Sequence, residues 1–402
     1  MKRLISDLGV FGGPPAFSAV RPIGQLASPD PGQFFRHARG MFERRRLSNN
    51  GPLVRELEKR LGDLHAVPHV VAVANASLGL IILMQVLARQ PGGEAMMPAF
   101  TYAGLPHLAQ WAGLRPRFCD IDASTHALDP KSVAAAISDE TALVLAVHQV
   151  NSPCFVAEFE QLSSTSGVPL LFDSVHGAHC TYRGRPIGGF GLAEVFSLHA
   201  TKLLNGFEGG YVTTRDGGLA EVLRRQRNFG IIDDGVTAGI GMNAKLNEIH
   251  AAAALACLDG LGGLVERNYA RYQAYSDAFT GIEGLDWVRY ANNGEQWNYE
   301  FFLLEVDDGF PISRDQAVEI LRGENALARP YYSPPLHRSQ HCPDFVFTPE
   351  LPVTERLAQR FIQMPVGESL LPGDERVLAE LFRFMRGHAP DIHAAFSQRR
   401  NP

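Results

Sequence analysis

The stretch Val70-Val71-Ala72-Val73-Ala74-Asn75-Ala76-Ser77-Leu78-Gly79-Leu80-Ile81-Ile82-Leu83 decides the fold. A short β-branched run, a small polar turn and then apolar residues from Leu80 to Leu87 read as strand, turn and helix. The window lies inside a longer stretch, Leu64 to Ala88, that carries no formal charge and has the length of a membrane-spanning helix. Pro68 and the polar turn at Asn75, Ser77 and Gly79 divide it, so a membrane span is not the reading.

The same alternation extends in both directions. Upstream, Gly51-Pro52 opens a segment with Val54, Leu57, Leu61 and Leu64 at helical spacing, an amphipathic helix with proline in its first turn. Downstream, short apolar runs recur at Ala95-Met96-Met97, Leu143 to Val147, Leu170-Leu171-Phe172, Val195-Phe196 and Tyr211-Val212. Most are separated by enough chain for a crossover helix, as parallel strands require. This predicts an α/β domain with a mostly parallel, buried sheet. Asn247 to Leu258 is alanine-rich and helical, and after Gly262-Gly263 the rhythm changes to mixed α+β, with candidate strands near Asp286-Trp287-Val288 and Phe301 to Glu305. The chain of 402 residues exceeds the roughly 250–300 at which single cores stop growing. Two domains are therefore expected, 1–262 and 263–402. The loop Arg329-Pro330-Tyr331-Tyr332-Ser333-Pro334-Pro335 is too aromatic for a solvated linker and reads as the wall of a binding site.

Composition excludes several classes. The chain has 37 basic and 43 acidic residues, a net charge of −6, and 45% hydrophobic content. Disorder and collagen-like structure are excluded, and with only short basic clusters such as Arg44-Arg45-Arg46 no nucleic-acid partner is expected. Cys119, Cys154, Cys180, Cys257 and Cys342 are scattered without zinc-site or redox-motif spacing and read as reduced core thiols, with no metal site. Asp7 and Gly12-Gly13-Pro14-Pro15 interrupt any signal-peptide core, so a cytoplasmic enzyme without a membrane partner is expected.

Three windows carry chemistry. Ser197-Leu198-His199-Ala200-Thr201-Lys202 follows the strand-like Val195-Phe196, which places Lys202 in partly desolvated surroundings that suit an imine-forming lysine; by position alone, a solvated surface lysine is the commoner case. Asp173 ends the apolar run Leu170-Leu171-Phe172 and precedes Lys202 by 29 residues, about one crossover unit. An acid there is equally a helix N-cap when Lys202 is ignored. Together the pair suits pyridoxal phosphate, whose aldehyde a lysine holds and whose pyridine nitrogen a carboxylate keeps protonated. Finally, Asn75-Ala76-Ser77 between strand and helix is an anion site or plain capping.

These windows, taken in order, resemble the DegT/DnrJ/EryC1/StrS family of pyridoxal-phosphate-dependent sugar aminotransferases. The resemblance includes Gly12-Gly13-Pro14-Pro15-Ala16-Phe17, Asn50-Gly51-Pro52, Pro98-Ala99-Phe100-Thr101-Tyr102, Arg227-Asn228-Phe229-Gly230, Gly241-Met242-Asn243-Ala244-Lys245-Leu246-Asn247-Glu248 and Tyr332-Ser333-Pro334-Pro335-Leu336-His337. It implies the aspartate-aminotransferase-like fold type I, with a large domain around a mostly parallel seven-stranded sheet and a smaller C-terminal α+β domain. It implies pyridoxal 5'-phosphate as cofactor, alternating with pyridoxamine 5'-phosphate. Lys202 would hold the cofactor and shuttle protons, Asp173 face the pyridine nitrogen, His176 bond the phenolic oxygen and Tyr102 stack on the ring. Ala76, Ser77 and Ser197 would cradle the phosphate, joined by Asn243 from the neighbouring subunit of a homodimer. On the substrate side His199, Tyr332 and His337 are the expected contacts. Two departures stand out: Asn75-Ala76-Ser77 replaces the common Ser-Gly-Thr, and Lys245 the usual arginine.

The implied reaction moves an amino group from a donor, L-glutamate as in the family, to a keto sugar linked to a nucleotide. Arg183, Arg185 and the Tyr331-Tyr332 loop are candidates for holding pyrophosphate and sugar. A non-nucleotide keto metabolite or cyclitol as acceptor, and a non-catalytic cofactor-binding regulator, are the alternatives. A nicotinamide oxidoreductase would need glycines after the first strand; the glycine pattern Gly239-Ile240-Gly241-Met242-Asn243-Ala244 is discounted because no strand is expected before it.

Overall fold

A computed structural model describes residues 2–150, 153–233, 235–291, 293–338, 346–347 and 350–400. The deciding window folds as strand β1 (His69–Val73), a turn and the helix Ala76–Leu87. Asn75 is the N-cap, its Oδ1 accepting from Leu78 N–H at 2.8 Å. Six further strands complete the expected seven: β2 (Glu94–Pro98), β3 (Arg115–Cys119), β4 (Thr141–Val147), β5 (Leu170–Asp173), β6 (Ala193–Ser197) and β7 (Gly210–Thr214). Their order is β1-β7-β6-β5-β4-β2-β3, and Val346–Phe347 adds a parallel eighth strand beside β3. All are parallel except β7, which runs antiparallel to both β1 and β6.

Alternate residues of these strands enter two different cores, so both faces are covered and the strands read as continuous apolar runs. Val70, Val144, Ala146, Leu170 and Phe172 face one core, while Val71, Leu143, Leu145 and Leu171 face the other. The first core takes residues of the helices Pro31–Arg44, Pro52–His65 and Glu248–Asp259; the second takes those of Ala76–Leu87, Leu105–Trp111 and Gly217–Gln226. Strand β3 was not foreseen. Pro116 and two arginines disguise it; among the described residues its outer neighbour pairs with Arg117 and Phe118. Arg117 Nη1 meets Glu94 Oε2 at 2.9 Å across to β2.

The C-terminal part builds a four-stranded antiparallel sheet in the order Leu285–Trp287, Leu303–Val306, Phe361–Gln363, Arg329–Pro330. Its core includes residues of the helices Arg314–Gly323 and Asp374–Gly387, and also takes Leu8 and Phe17 from the N-terminus. The change of rhythm at Gly262-Gly263 falls in the first turn of the helix Leu261–Phe279. Leu261 and Leu264 pack in the first core, and Tyr275 and Phe279 in the C-terminal one.

Among the described residues no single helix is long and apolar enough to cross a membrane. The helices Glu248–Asp259 and Leu261–Phe279 suffice only as a pair bent by 63°. Cys119, Cys154, Cys180 and Cys257 are buried, as core thiols would be; Cys342 lies outside the described residues. The discounted glycine pattern does follow a strand, Val236–Thr237, but this two-residue partner of Ile231–Asp233 is exposed, and the next helix begins only at Glu248.

Candidate active site

Parallel strands send their following loops to one edge, where α/β sheets build sites. Here β1 delivers Asn75 to Ser77, β2 leads to Tyr102, β5 to Asp173 and His176, and β6 to Ser197, His199 and Lys202. All of them line one cavity of about 370 Å³. The C-terminal part closes it with Phe301, Arg329, Tyr331, Tyr332 and Gln363, and the N-terminal segment with Ile23 and Gly24.

At the floor, β1, β6 and β7 converge on one glycine: Gly210 pairs with Val73 on one side and Ser197 on the other. A Cβ there would stand 2.5 Å from the backbone nitrogen of Ala76, so only glycine lets β7 pass beneath the helix start. With Leu78 N–H capped by Asn75, the N–H groups of Ala76 and Ser77 are left open at the positive end of a 12-residue helix. Both residues line the cavity, as does Ser197, whose Oγ accepts from His199 N–H at 3.2 Å. The capping reading holds, with Asn75 capping the third N–H, and the first two N–H groups stay open to an anion.

Asp173 is buried at the end of β5, its Oδ1 accepting from Val175 N–H at 3.2 Å. Burial raises its pKa to about 6, against the opposing pull of that N–H, of Lys202 and of His148. Lys202 is half-buried in a loop tied down by Lys202 N–H to His199 O and Gln25 N–H to Thr201 O, both 2.9 Å. Burial lowers its pKa, while Glu300 and Asp173 raise it. Its Nζ lies 3.5 Å from His176 Nδ1, which lies 3.4 Å from Glu300 Oε2. The His176 pKa is lowered by burial and then by Lys202, with Glu300 opposing. Tyr102, 63% exposed, presents a large aromatic side chain at the cavity.

The aromatic wall is where the Pro-rich loop was expected. The rings of Tyr331 and Tyr332 lie 3.9 Å apart and pack edge-on against Phe100. Tyr331 OH donates to Gln149 Oε1 at 3.1 Å, and Arg329 Nε to Gln363 Oε1 at 2.7 Å. At the mouth His199 Nδ1 and Thr201 Oγ1 are 2.8 Å apart, and His199 Nε2 is 3.6 Å from Glu208.

Other candidates fall outside the cavity lining. His337 Nε2 is 3.0 Å from Glu355 Oε1, a carboxylate on the helix Pro352–Leu357 that draws the imidazole away. Arg183 and Arg185 lie over the rings of Tyr182 and Phe190 instead of facing the site. Asn243 is exposed, its backbone bridged to Asn228. Conversely, Glu208, Thr201 and Gly24, which line the cavity, went unread, as did Glu300 behind His176. Glu300 carried the same signal as Asp173, an acid abutting an apolar run, here Phe301 to Leu304.

A buried carboxylate, a histidine, a lysine of lowered proton affinity and open helix-start N–H groups form a donor set that fits pyridoxal phosphate. Fold and site define a pyridoxal-phosphate-dependent aminotransferase of fold type I. The DegT/DnrJ/EryC1/StrS aminotransferase family model matches residues 32–382, and the chain belongs to that family. It is 27% identical over 373 residues to the Escherichia coli protein named dTDP-4-amino-4,6-dideoxy-D-glucose transaminase, covering 91% of this chain and 98% of that one. The crystal structure of DesI in the presence of its TDP-sugar product superposes with a TM-score of 0.92 at 36% identity, covering 98% of this chain and 100% of the other. Sugar aminotransferase CalS13 from Micromonospora echinospora gives a TM-score of 0.80 at 26% identity over 90% and 98% of the two chains.

Proposed function

We propose that this sugar aminotransferase takes the amino group of L-glutamate and delivers it to a nucleotide-linked keto-deoxysugar, working as a cytoplasmic homodimer. The observation that carries the reading is the convergence of Asp173, His176 and Lys202 on one cavity whose floor is a helix start with open N–H groups. Its acceptor half is supported by the names of the relatives, a dTDP-amino-sugar transaminase and a structure determined with a TDP-sugar product.

When bound, pyridoxal phosphate supplies an electron sink for the carbon that loses and gains a proton. The chain supplies the rest. Lys202, deprotonated more easily than a solvated lysine, moves the proton at Nζ. Asp173 would face the pyridine nitrogen and keep it protonated. His176 would bond the phenolic oxygen, Tyr102 would stack on the ring, and Ala76, Ser77 and Ser197 would hold the phosphate. Tyr331, Tyr332 and Phe301 restrict water access.

The shared site is part of the same proposal. Asn243 is exposed and outside the lining of its own cavity, and large apolar side chains are exposed around the large domain, among them Phe35 at 65%, Phe42 and Phe229, with Ile240 at 80%. A second copy covering such residues would bring its Asn243 to the phosphate site.

The test is turnover with L-glutamate and a panel of acceptors: a dTDP-linked 4-keto-6-deoxyhexose, the free keto sugar and a ketocyclitol. Amination of the nucleotide-linked compound alone supports the proposal. Preference for either of the others overturns its acceptor half, and no turnover with any donor favours a regulator.

A further inference from the structure

Glu300 lies just before the strand Leu303–Val306, and its side chain is 1% exposed. Oε2 stands 3.4 Å from His176 Nδ1, and Oε1 has no hydrogen-bond partner. The contact is built from both sides by Asn298: its Nδ2 donates to the carbonyls of His176 and Ala178 at 2.8 and 3.0 Å, and its Oδ1 accepts from Glu300 N–H at 3.1 Å. Gln25 Nε2 holds the Glu300 carbonyl at 2.5 Å. One buried asparagine thus ties the backbone that carries the histidine to the backbone that carries the acid.

A buried carboxylate oxygen without a partner costs free energy in the fold. Here its charge acts across His176 on Lys202. We propose that Glu300 is a positioning residue of the transamination site: it accepts the Nδ1 hydrogen of His176, which fixes the imidazole tautomer, and it sets a negative charge beside the nitrogen of Lys202. This rests on the roles given above to Lys202 and His176.

The other groups facing this cluster are Asp173, Arg329 and Tyr332, with Cys180 and Tyr290 near Glu300. Asp173 and Glu300 favour a proton on Lys202, and Arg329 opposes it. Removing Glu300 therefore lets the Lys202 nitrogen lose its proton at lower pH.

The test is a pH titration of the visible absorption of pyridoxal phosphate bound to wild type and to Glu300→Gln, which keeps shape and loses charge. The midpoint should fall by about one pH unit, a tenfold change. In the cofactor-free protein, the pH dependence of the rate of pyridoxal phosphate capture should move the same way. Coincident midpoints in folded E300Q overturn the proposal. Should E300Q fail to fold, Asn298→Ala carries the test, since freeing the acid from the histidine should also lower the midpoint, and an unchanged midpoint overturns the proposal. A wild type that develops no visible band contradicts the reading of Lys202 itself, a result separable from the failure of Glu300.

Discussion

Lys202 Nζ lies 3.5 Å from His176 Nδ1, although 26 residues separate them in the chain. They meet because β5 and β6 are parallel neighbours whose following loops leave the same edge of the sheet. Among the described residues Lys202 forms no direct ion pair, and its influence on the buried Asp173 and Glu300 is through space, so replacing it by alanine leaves no ion-paired carboxylate behind. Lys202→Ala should fold normally by circular dichroism and lose turnover by a factor on the order of 10³ or more.

Asp173 behaves oppositely in stability and in function. Burial raises its folded pKa to about 6, well above the usual carboxylate range. The protonated form is thus favoured in the fold, a contribution fully present below the unfolded pKa and lost as pH rises through about 6. At neutral pH the ionised group costs the cofactor-free protein on the order of 2–3 kcal/mol. Asp173→Asn should accordingly raise the melting temperature of the cofactor-free enzyme at pH 8, with the gain vanishing by about pH 4, while abolishing transamination. A gain that is independent of pH would contradict this.

Gly210 is the point where β1, β6 and β7 meet beneath the start of the helix Ala76–Leu87, the proposed phosphate site. A methyl group at 2.5 Å from Ala76 N must push the helix start or β7 aside. Gly210→Ala should cost about 1–3 kcal/mol of stability and weaken pyridoxal phosphate binding at least about tenfold, measured by equilibrium titration. Unaltered affinity would mean the phosphate sits elsewhere.

Sharing of sites between subunits has a direct genetic test. Lys202→Ala and Asn243→Ala subunits should each be inactive or weak alone. Mixed by unfolding and refolding, they should regain about a quarter of wild-type activity, because half of the dimers are mixed and each carries one intact site. No recovery would place Asn243 outside the partner's site.

The parts legible in sequence share a physical origin. Strands buried on both faces leave unbroken apolar runs, so β1, β4 and β5 stand out, and an acid or lysine just past such a run, as with Asp173 and Lys202, marks the chemical edge of the sheet. Strand β3 escaped because Pro116 and the two arginines break the apolar run that marks the other strands. Glu300 carried the local signal of an acid abutting an apolar run, but its contact with His176 depends on an approach between the C-terminal part and the His176 loop that no local spacing records. His337 and the two arginines lie outside the cavity lining, with a carboxylate or an aromatic ring as their neighbour, contacts that the local sequence does not record.

The most direct measurement is the absorbance of the purified protein with pyridoxal phosphate before and after L-glutamate. Conversion of the visible band to the absorption of pyridoxamine phosphate in wild type, together with absence of the band in Lys202→Ala, is the expected result. A band in wild type that persists when Lys202 is replaced, or no band in either, would contradict the assignment of Lys202 as the residue that holds the cofactor.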